Sequence, residues 1–181
     1  MFQNIFSSFV YDVDLNLDNK EIIKAAKKEI KNPSDHNQVD LPNSLSFKPL
    51  IDKVTNHVKI VSEKLGYKEE TSVICVWSWI NINHAKEITK PHLHPKTEIA
   101  AVYYPLADEV SSIEFLNPVQ QLQYIIENDK INNWNEYNST TWRIVPTSGK
   151  LLIFPGWLLH YVINNESINK RISIAFNFKI K

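Results

Sequence analysis

The chain has 181 residues, with 20 Lys plus Arg against 20 Asp plus Glu, so its formal net charge near neutral pH is zero. That balance excludes a general attraction to nucleic acid or to an anionic lipid surface. The length suits one domain with one sizeable core, the single cysteine excludes a disulfide within the chain, and no stretch approaches the roughly 18 apolar residues that a membrane span needs.

The first residues, Met1 to Phe6, are apolar but carry no basic leader, which predicts a soluble, cytoplasmic protein without a membrane or nucleic-acid partner and leaves a homodimer open. Residues 2–10 are expected to form an opening strand. Asp18 then caps a helix running to about Lys31, in which Ile22, Ala26 and Ile30 recur every fourth residue, and Asn32-Pro33-Ser34-Asp35 breaks it. A second helix starts near Leu50: Ile51, Val54, Val58, Val61 and Leu65 step by three and four, and Gly66 stands where a left-handed C-cap is wanted. His57 on this helix and His36 in a polar loop read as helix-flank and surface residues.

Beyond Glu70 the pattern changes to short strands. Residues 73–82 predict a covered strand with Cys75, Trp77 and Trp79 on one face and Ile74, Val76 and Ile80 on the other, Cys75 being a buried, inert thiol. Further strands are expected at 98–105, 112–115, 142–145, 150–154, 161–163 and 172–180. In the last, Ile172, Ile174, Phe176, Phe178 and Ile180 alternate with Ser173, Ala175, Asn177 and Lys179. Residues 121–126 suit a short helix or an edge segment, and the Asn-rich 132–141 a loop at a site mouth. Two helices followed by many short strands predict a mainly β fold of jelly-roll type over one domain, 1–181. Its residues 1–70 supply a strand and two supporting helices, and residues 71–181 the core.

Two stretches carry chemistry. In an extended segment side chains at i and i+2 share a face, so His92 and His94 in Pro91-His-Leu-His-Pro95 present two imidazoles side by side. His160, beyond the apolar run Leu151-Leu-Ile-Phe154 and Pro155-Gly156, completes a candidate three-imidazole metal site, suited to divalent iron, zinc, copper or nickel. Only Arg143 and Arg171 among the 20 cationic residues are arginine. A chain that uses lysine elsewhere keeps arginine where a planar fork grips a carboxylate, and Arg171 opens the strand that follows His160.

At this point the sequence resembles the 2-oxoglutarate and Fe(II)-dependent oxygenases, in the small phage and bacterial group. The resemblance rests on His92-Leu-His94-Pro95, on Val102-Tyr103-Tyr104, on Gly149-Lys-Leu151-Leu-Ile-Phe154-Pro155-Gly-Trp157-Leu158-Leu-His160, and on Arg171-Ile-Ser173-Ile-Ala-Phe176-Asn177. It implies a double-stranded β-helix, a cupin-like jelly roll, in which His92, His94 and His160 hold Fe(II). It also implies that 2-oxoglutarate chelates the metal with its distal carboxylate on Arg171, and that dioxygen is used to hydroxylate a C–H bond of a small-molecule or peptide substrate, with a lean to peptidyl or prolyl substrates. No catalytic side chain is expected beyond these ligands.

Of Tyr103 and Tyr104 only one can face inward, and Asn81 and Asn83 can each offer an amide to the co-substrate; Tyr103 and Asn81 are named for that role, with the choice within each pair left open. Trp157 and the 132–141 loop, with Trp134, Tyr137 and Trp142, are expected at the pocket mouth. Two other readings use the same residues. In an ordinary metal-binding cupin, Glu98 would join the histidines and Gly149, Pro155, His160 and Asn164 would echo the second cupin motif. In a non-catalytic jelly-roll binding module the histidines would be a remnant. The oxygenase reading predicts that Glu98 is not a ligand.

Overall fold

The computed structural model describes residues 3, 5–30, 37–38, 40–107, 110, 112–162 and 170–181, with only the backbone at 37–38. The expected end of the first helix at Lys31, the break at 32–35, His36, Ile163 and Asn164 lie outside the described residues.

Strand β1 (Tyr11–Asp14) leads to helix α1 (Asn19–Glu29), whose start is set by Asp18: its carboxylate accepts from the Lys20 amide at 3.0 Å. The opening strand therefore lies later than 2–10. Tyr11 and Val13 turn toward the core while Phe6, at φ 56°, is fully exposed, and between them Phe9 and Val10 pack against the two cores without forming a ladder. After the two-residue β2 (Asn37–Gln38) and two short 3₁₀ turns that bury Leu41 and Phe47, helix α2 (Lys48–Lys64) buries Leu50, Val54, Val58 and Val61 and ends at Gly66, φ 85°.

The strands that follow are β3 (Val73–Asn83), β4 (Thr89–His92), β5 (Ile99–Leu106), β6 (Ile113–Leu116), β7 (Thr141–Ile144), β8 (Lys150–Pro155), β9 (His160–Val162) and β10 (Arg171–Ile180). They form a six-stranded sheet in the order β1-β8-β5-β10-β3-β2 and a four-stranded sheet in the order β4-β9-β6-β7, all pairs antiparallel. Both N-terminal strands, β1 and β2, are thus built into the larger sheet rather than standing beside it. Residues 120–124 and 128–130 are short 3₁₀ turns whose side chains are exposed apart from the half-buried Leu122. No helix among the described residues is long and apolar enough to cross a membrane.

Strict alternation sorts the larger sheet into two faces. Ile99, Ala101 and Tyr103 on β5, Leu151 and Ile153 on β8, and Ile172, Ile174, Phe176 and Phe178 on β10 pack under α1 and α2. Ala100, Val102 and Tyr104, Leu152 and Phe154, and Ala175 face the smaller sheet and meet Ile113 and Phe115. With both faces covered, β5 and β8 read as unbroken apolar runs.

Strand β3 departs from that regularity. Against β10, Trp77 pairs with Asn177 and Cys75 with Phe178, so Val76 is an extra residue with no opposite number. A bulge of this kind switches the faces on its two sides. Val73 and Cys75 point to the helices, then Ser78, Ile80 and Ile82 do, and Trp77, Trp79, Asn81 and Asn83 turn toward the smaller sheet. Cys75 therefore does not share a face with the two tryptophans. Nor is this strand fully covered, because Ile74, Val76 and Trp77 remain exposed.

Candidate metal centre

Between the two sheets lies a cavity of about 460 Å³, lined from the larger sheet by β3, β5 and β10 and from the smaller one by β4, β6 and β9. His92 ends β4 and stands directly opposite His160, the first residue of β9, with ring centroids 4.3 Å apart. His94 lies just past β4 rather than within it: Pro95 stops the ladder and the His94 amide donates to the Gly156 carbonyl at 2.7 Å. Gly156 in turn donates to Glu98, and a Cβ there would stand 2.2 Å from the Thr97 oxygen, so only glycine lets the turns at 94–98 and 155–160 close on each other.

The three histidines each offer one ring nitrogen within 4.8 Å of the other two. Their far nitrogens explain why. His92 Nδ1 meets the Lys90 carbonyl at 2.8 Å, His94 Nδ1 the Asn177 side-chain oxygen at 2.6 Å, and His160 Nδ1 the Leu158 carbonyl at 2.8 Å. A carbonyl oxygen only accepts, so each Nδ1 carries the proton and donates it, leaving each Nε2 with a bare lone pair. The Nε2 atoms of His94 and His160 are 3.3 Å apart. Two lone pairs that close repel unless a cation sits between them, and 3.3 Å is about the spacing of two nitrogens each 2.0–2.1 Å from one ion.

Burial pushes the His94 imidazole below its usual range and the His160 imidazole down to about 3, with neighbouring histidines adding to the effect in both. Both rings are neutral at physiological pH, the form that ligates a metal.

At one end of the cavity Arg171 is 3% exposed. Its Nη2 donates to Asn83 Oδ1 at 3.3 Å, its guanidinium lies 5.9 Å from the centre of the Tyr104 ring, and its Nε and Nη1 are buried with no hydrogen-bond partner among the described residues. A guanidinium with two idle buried donors is a costly arrangement unless an anion completes it.

The expected residues are thus brought together in part. His92, His94, His160, Arg171 and Asn81 line one cavity, with Asn81 Nδ2 donating to Ser173 Oγ at 3.5 Å. Tyr103 does not join them. It lies on the helix face of β5, donates its hydroxyl to Asn19 Oδ1, and is pushed up to about 12 by burial and by the Asp14 charge. Tyr104, its neighbour, lines the cavity, and the alternation of β5 leaves no other choice. Of the two asparagines, both line the cavity and Asn83 is the one that touches Arg171.

Glu98 lines neither cavity and is outside the imidazole cluster. The expected mouth is also placed differently. Tyr137 and Trp142 line a second cavity of about 720 Å³, walled by the N-terminal segment, β6 and β7, and neither Trp134 nor Trp157 borders the cavity of the three histidines. The missed residues are Asn177, Lys90 and Trp79. The last stacks on His94 at 5.5 Å and 27°, and the alternation of β10 alone places Asn177 on the face of Arg171.

Residues 77–177, more than half of the chain, match the family described as "Putative 2OG-Fe(II) oxygenase". No curated protein matches the chain by sequence. Among solved structures, the non-heme alpha-ketoglutarate-dependent epimerase SnoN of nogalamycin biosynthesis superposes with a TM-score of 0.67 at 13% identity, over 93% of this chain and 75% of that one. HygX from Streptomyces hygroscopicus, solved with nickel and 2-oxoglutarate bound, gives 0.65 at 11% identity over 94% and 82%. A prolyl-4-hydroxylase from Pseudomonas putida gives 0.59 at 13% identity over 94% and 86%. At such identities the likeness shows the fold, the jelly roll of these enzymes.

Proposed function

The chain belongs to the 2OG-Fe(II) oxygenase family, and from that premise we propose that it hydroxylates a C–H bond, with His92, His94 and His160 as the iron ligands and Arg171 as the anchor of 2-oxoglutarate. The family uses Fe(II) and 2-oxoglutarate, and the protein is accordingly an oxidoreductase that draws on dioxygen and acts on a small molecule or a peptide. When bound, the iron and its co-substrate supply the oxidising chemistry, the co-substrate leaving as succinate and carbon dioxide.

The observation that carries the reading is the pairing, in one cavity, of three bare imidazole nitrogens with the idle Nε and Nη1 of Arg171. Arg171 holds a carboxylate through its unpaired Nη1, and Asn83 fixes the plane of the guanidinium through Nη2. Tyr104 packs alongside, and Asn81 and Ser173 offer polar atoms between the guanidinium and the histidines. Val102, Ile113, Val162 and Ala175 wall the space with apolar groups that keep water from it. The imidazoles act as ligands and move no proton, because each Nδ1 proton is tied to a carbonyl oxygen. A prolyl or peptidyl substrate is the favoured form, supported by the shared fold of the Pseudomonas putida prolyl-4-hydroxylase.

The test is to load the protein with iron under anaerobic conditions, add 2-oxoglutarate and oxygen, and measure succinate against substrates gaining one oxygen atom. Arg171→Lys should weaken 2-oxoglutarate binding by roughly ten- to a hundredfold, the worth of a charge-assisted contact of about 1.5–3 kcal/mol. Unchanged affinity in that variant, or no affinity in the parent, would remove the reading.

A further inference from the structure

The histidine cavity is bordered by exposed residues on β3 and on β4, the edge strand of the smaller sheet. On the β3 lip stand Trp79, stacked on His94, and Trp77, which is 61% exposed. On the β4 lip stands Lys90, whose carbonyl holds His92 and whose side chain is exposed. Along β3 the residues facing the cavity succeed one another from Trp77 through Trp79 and Asn81 to Asn83. Trp77 pairs with Asn177 and Asn83 with Arg171, so the tryptophans occupy the end away from the guanidinium. At about 6.8 Å per two residues of strand, the faces of the two tryptophans span the width of one ring.

Two facts about this lip need a reason. Trp77 is a large aromatic left in solvent, and it faces the cavity only because Val76 is an extra residue in β3. Bulges beside sites re-aim side chains in this way. The second fact is one of charge. Among the described residues, the lining contains Arg171 and Lys90 as cations and no Asp or Glu. Its three metal-ligating candidates are all imidazoles, where the common iron site of such oxygenases places two histidines and one carboxylate. A co-substrate carboxylate answers Arg171, and none of the described lining residues is an acid that answers Lys90.

We propose that the outer half of this cavity selects a substrate combining a ring with an anionic group, the ring lying on Trp77 and Trp79 and the anion meeting Lys90. The inference rests on the oxygenase reading above and narrows its substrate to a ring-bearing acid, a prolyl ring beside a carboxylate among them. The aromatic faces contribute stacking and excluded water, and the ammonium discriminates by sign, rejecting a cationic analogue of the same shape.

The experiment uses the full chain loaded with zinc and saturated with 2-oxoglutarate, which holds the site without turnover. Binding of four probes is followed by ligand-observed NMR and by tryptophan fluorescence: phenylacetate, phenylacetamide, phenethylamine and hexanoate. Phenylacetate should bind about tenfold or more tighter than phenethylamine, the discrimination expected of one partly exposed charge pair on top of a repulsive one. Lys90→Gln should collapse that preference, and Trp77→Ala should bring phenylacetate to the level of hexanoate. Equal binding of the acid and the amine would overturn the proposal, as would a Lys90→Gln variant that loses 2-oxoglutarate instead, since Lys90 would then serve the co-substrate. Parent protein that takes up no 2-oxoglutarate would fail at the saturation step and so count against the oxygenase reading separately.

Discussion

His94 Nδ1 donates to the side-chain oxygen of Asn177 across 2.6 Å, joining residues 83 apart in the chain. Through this bond the central strand of the larger sheet sets the tautomer of a ring that points into the space between the sheets. Asn177→Leu should leave the fold standing but weaken metal binding by roughly ten- to a hundredfold, the usual cost of losing the outer partner of a ligating histidine. Asn177→Asp, which can still accept from Nδ1, should recover most of it. Competition with a fluorescent chelator measures both; equal affinity in parent and Asn177→Leu would show that the bond does not orient the ligand.

An ion held by His92 and His160 on neighbouring strands of the smaller sheet and by His94 just past β4 requires the folded chain, so its binding should stabilise the fold. At a hundred times its Kd an ion contributes about 2.7 kcal/mol, which for a domain of this size raises Tm by roughly 5–10 °C. Differential scanning fluorimetry with and without Ni(II) or Zn(II) should show the rise in the parent and none in His160→Ala.

Gly156 and Gly66 make a contrasting pair. A Cβ at Gly156 meets the Thr97 oxygen at 2.2 Å and carbonyl carbon at 2.9 Å, whereas at Gly66 nothing lies within 4 Å and the cost is only that of φ 85°. Gly156→Ala should lose about 1–3 kcal/mol in urea unfolding and lose metal affinity with it, because the turn carrying His160 must move away from His94. Gly66→Ala should cost about 1 kcal/mol and leave metal binding alone.

The two tyrosines separate by function. Tyr103→Phe removes a hydroxyl bonded to Asn19 and should lower stability by about 0.5–1.5 kcal/mol without changing 2-oxoglutarate affinity. Tyr104→Phe, altering a ring that packs beside Arg171 in the cavity, is the variant whose 2-oxoglutarate affinity should shift, as isothermal calorimetry would register.

Cys75 is a thiol pushed up to about 12 by burial, from a usual value near 9. Only the thiolate reacts, so alkylation by iodoacetamide at pH 8 should run roughly a thousandfold slower than for a free thiol until the chain is unfolded. Mass spectrometry of a timed reaction decides the point.

Much of this was readable in the sequence because it depends on short-range periodicity. The three- and four-residue steps of α2, the alternation of β10 and the His-x-His spacing are each set within a few residues, and the scarcity of arginine singles out Arg171. What escaped depends on partners far along the chain. The bulge at Val76 sits in an apolar run with no glycine or proline to mark it, and only its register against β10 reveals it. The choice between Tyr103 and Tyr104 could not be made locally, since β5 is buried on both faces and its polarity pattern is mute. The position of the 132–142 segment depends on which edge of the sandwich opens, a property of two sheets together.

Strand β10 lies between β5 and β3 in the larger sheet, yet it follows every other strand among the described residues. On the ribosome, therefore, β1, β8 and β5 on one side and β3 and β2 on the other emerge with their inner edges unpaired, a template for sticking to other nascent chains. Arg171 and Asn177 belong to that same late strand, so neither the proposed carboxylate anchor nor the partner of His94 is in place until the sheet can close. Synthesis itself thus delays the site until a finished body surrounds it, and a stalled chain ending before Arg171 should remain open to protease and take up no metal, while one extended past Ile180 should resist digestion.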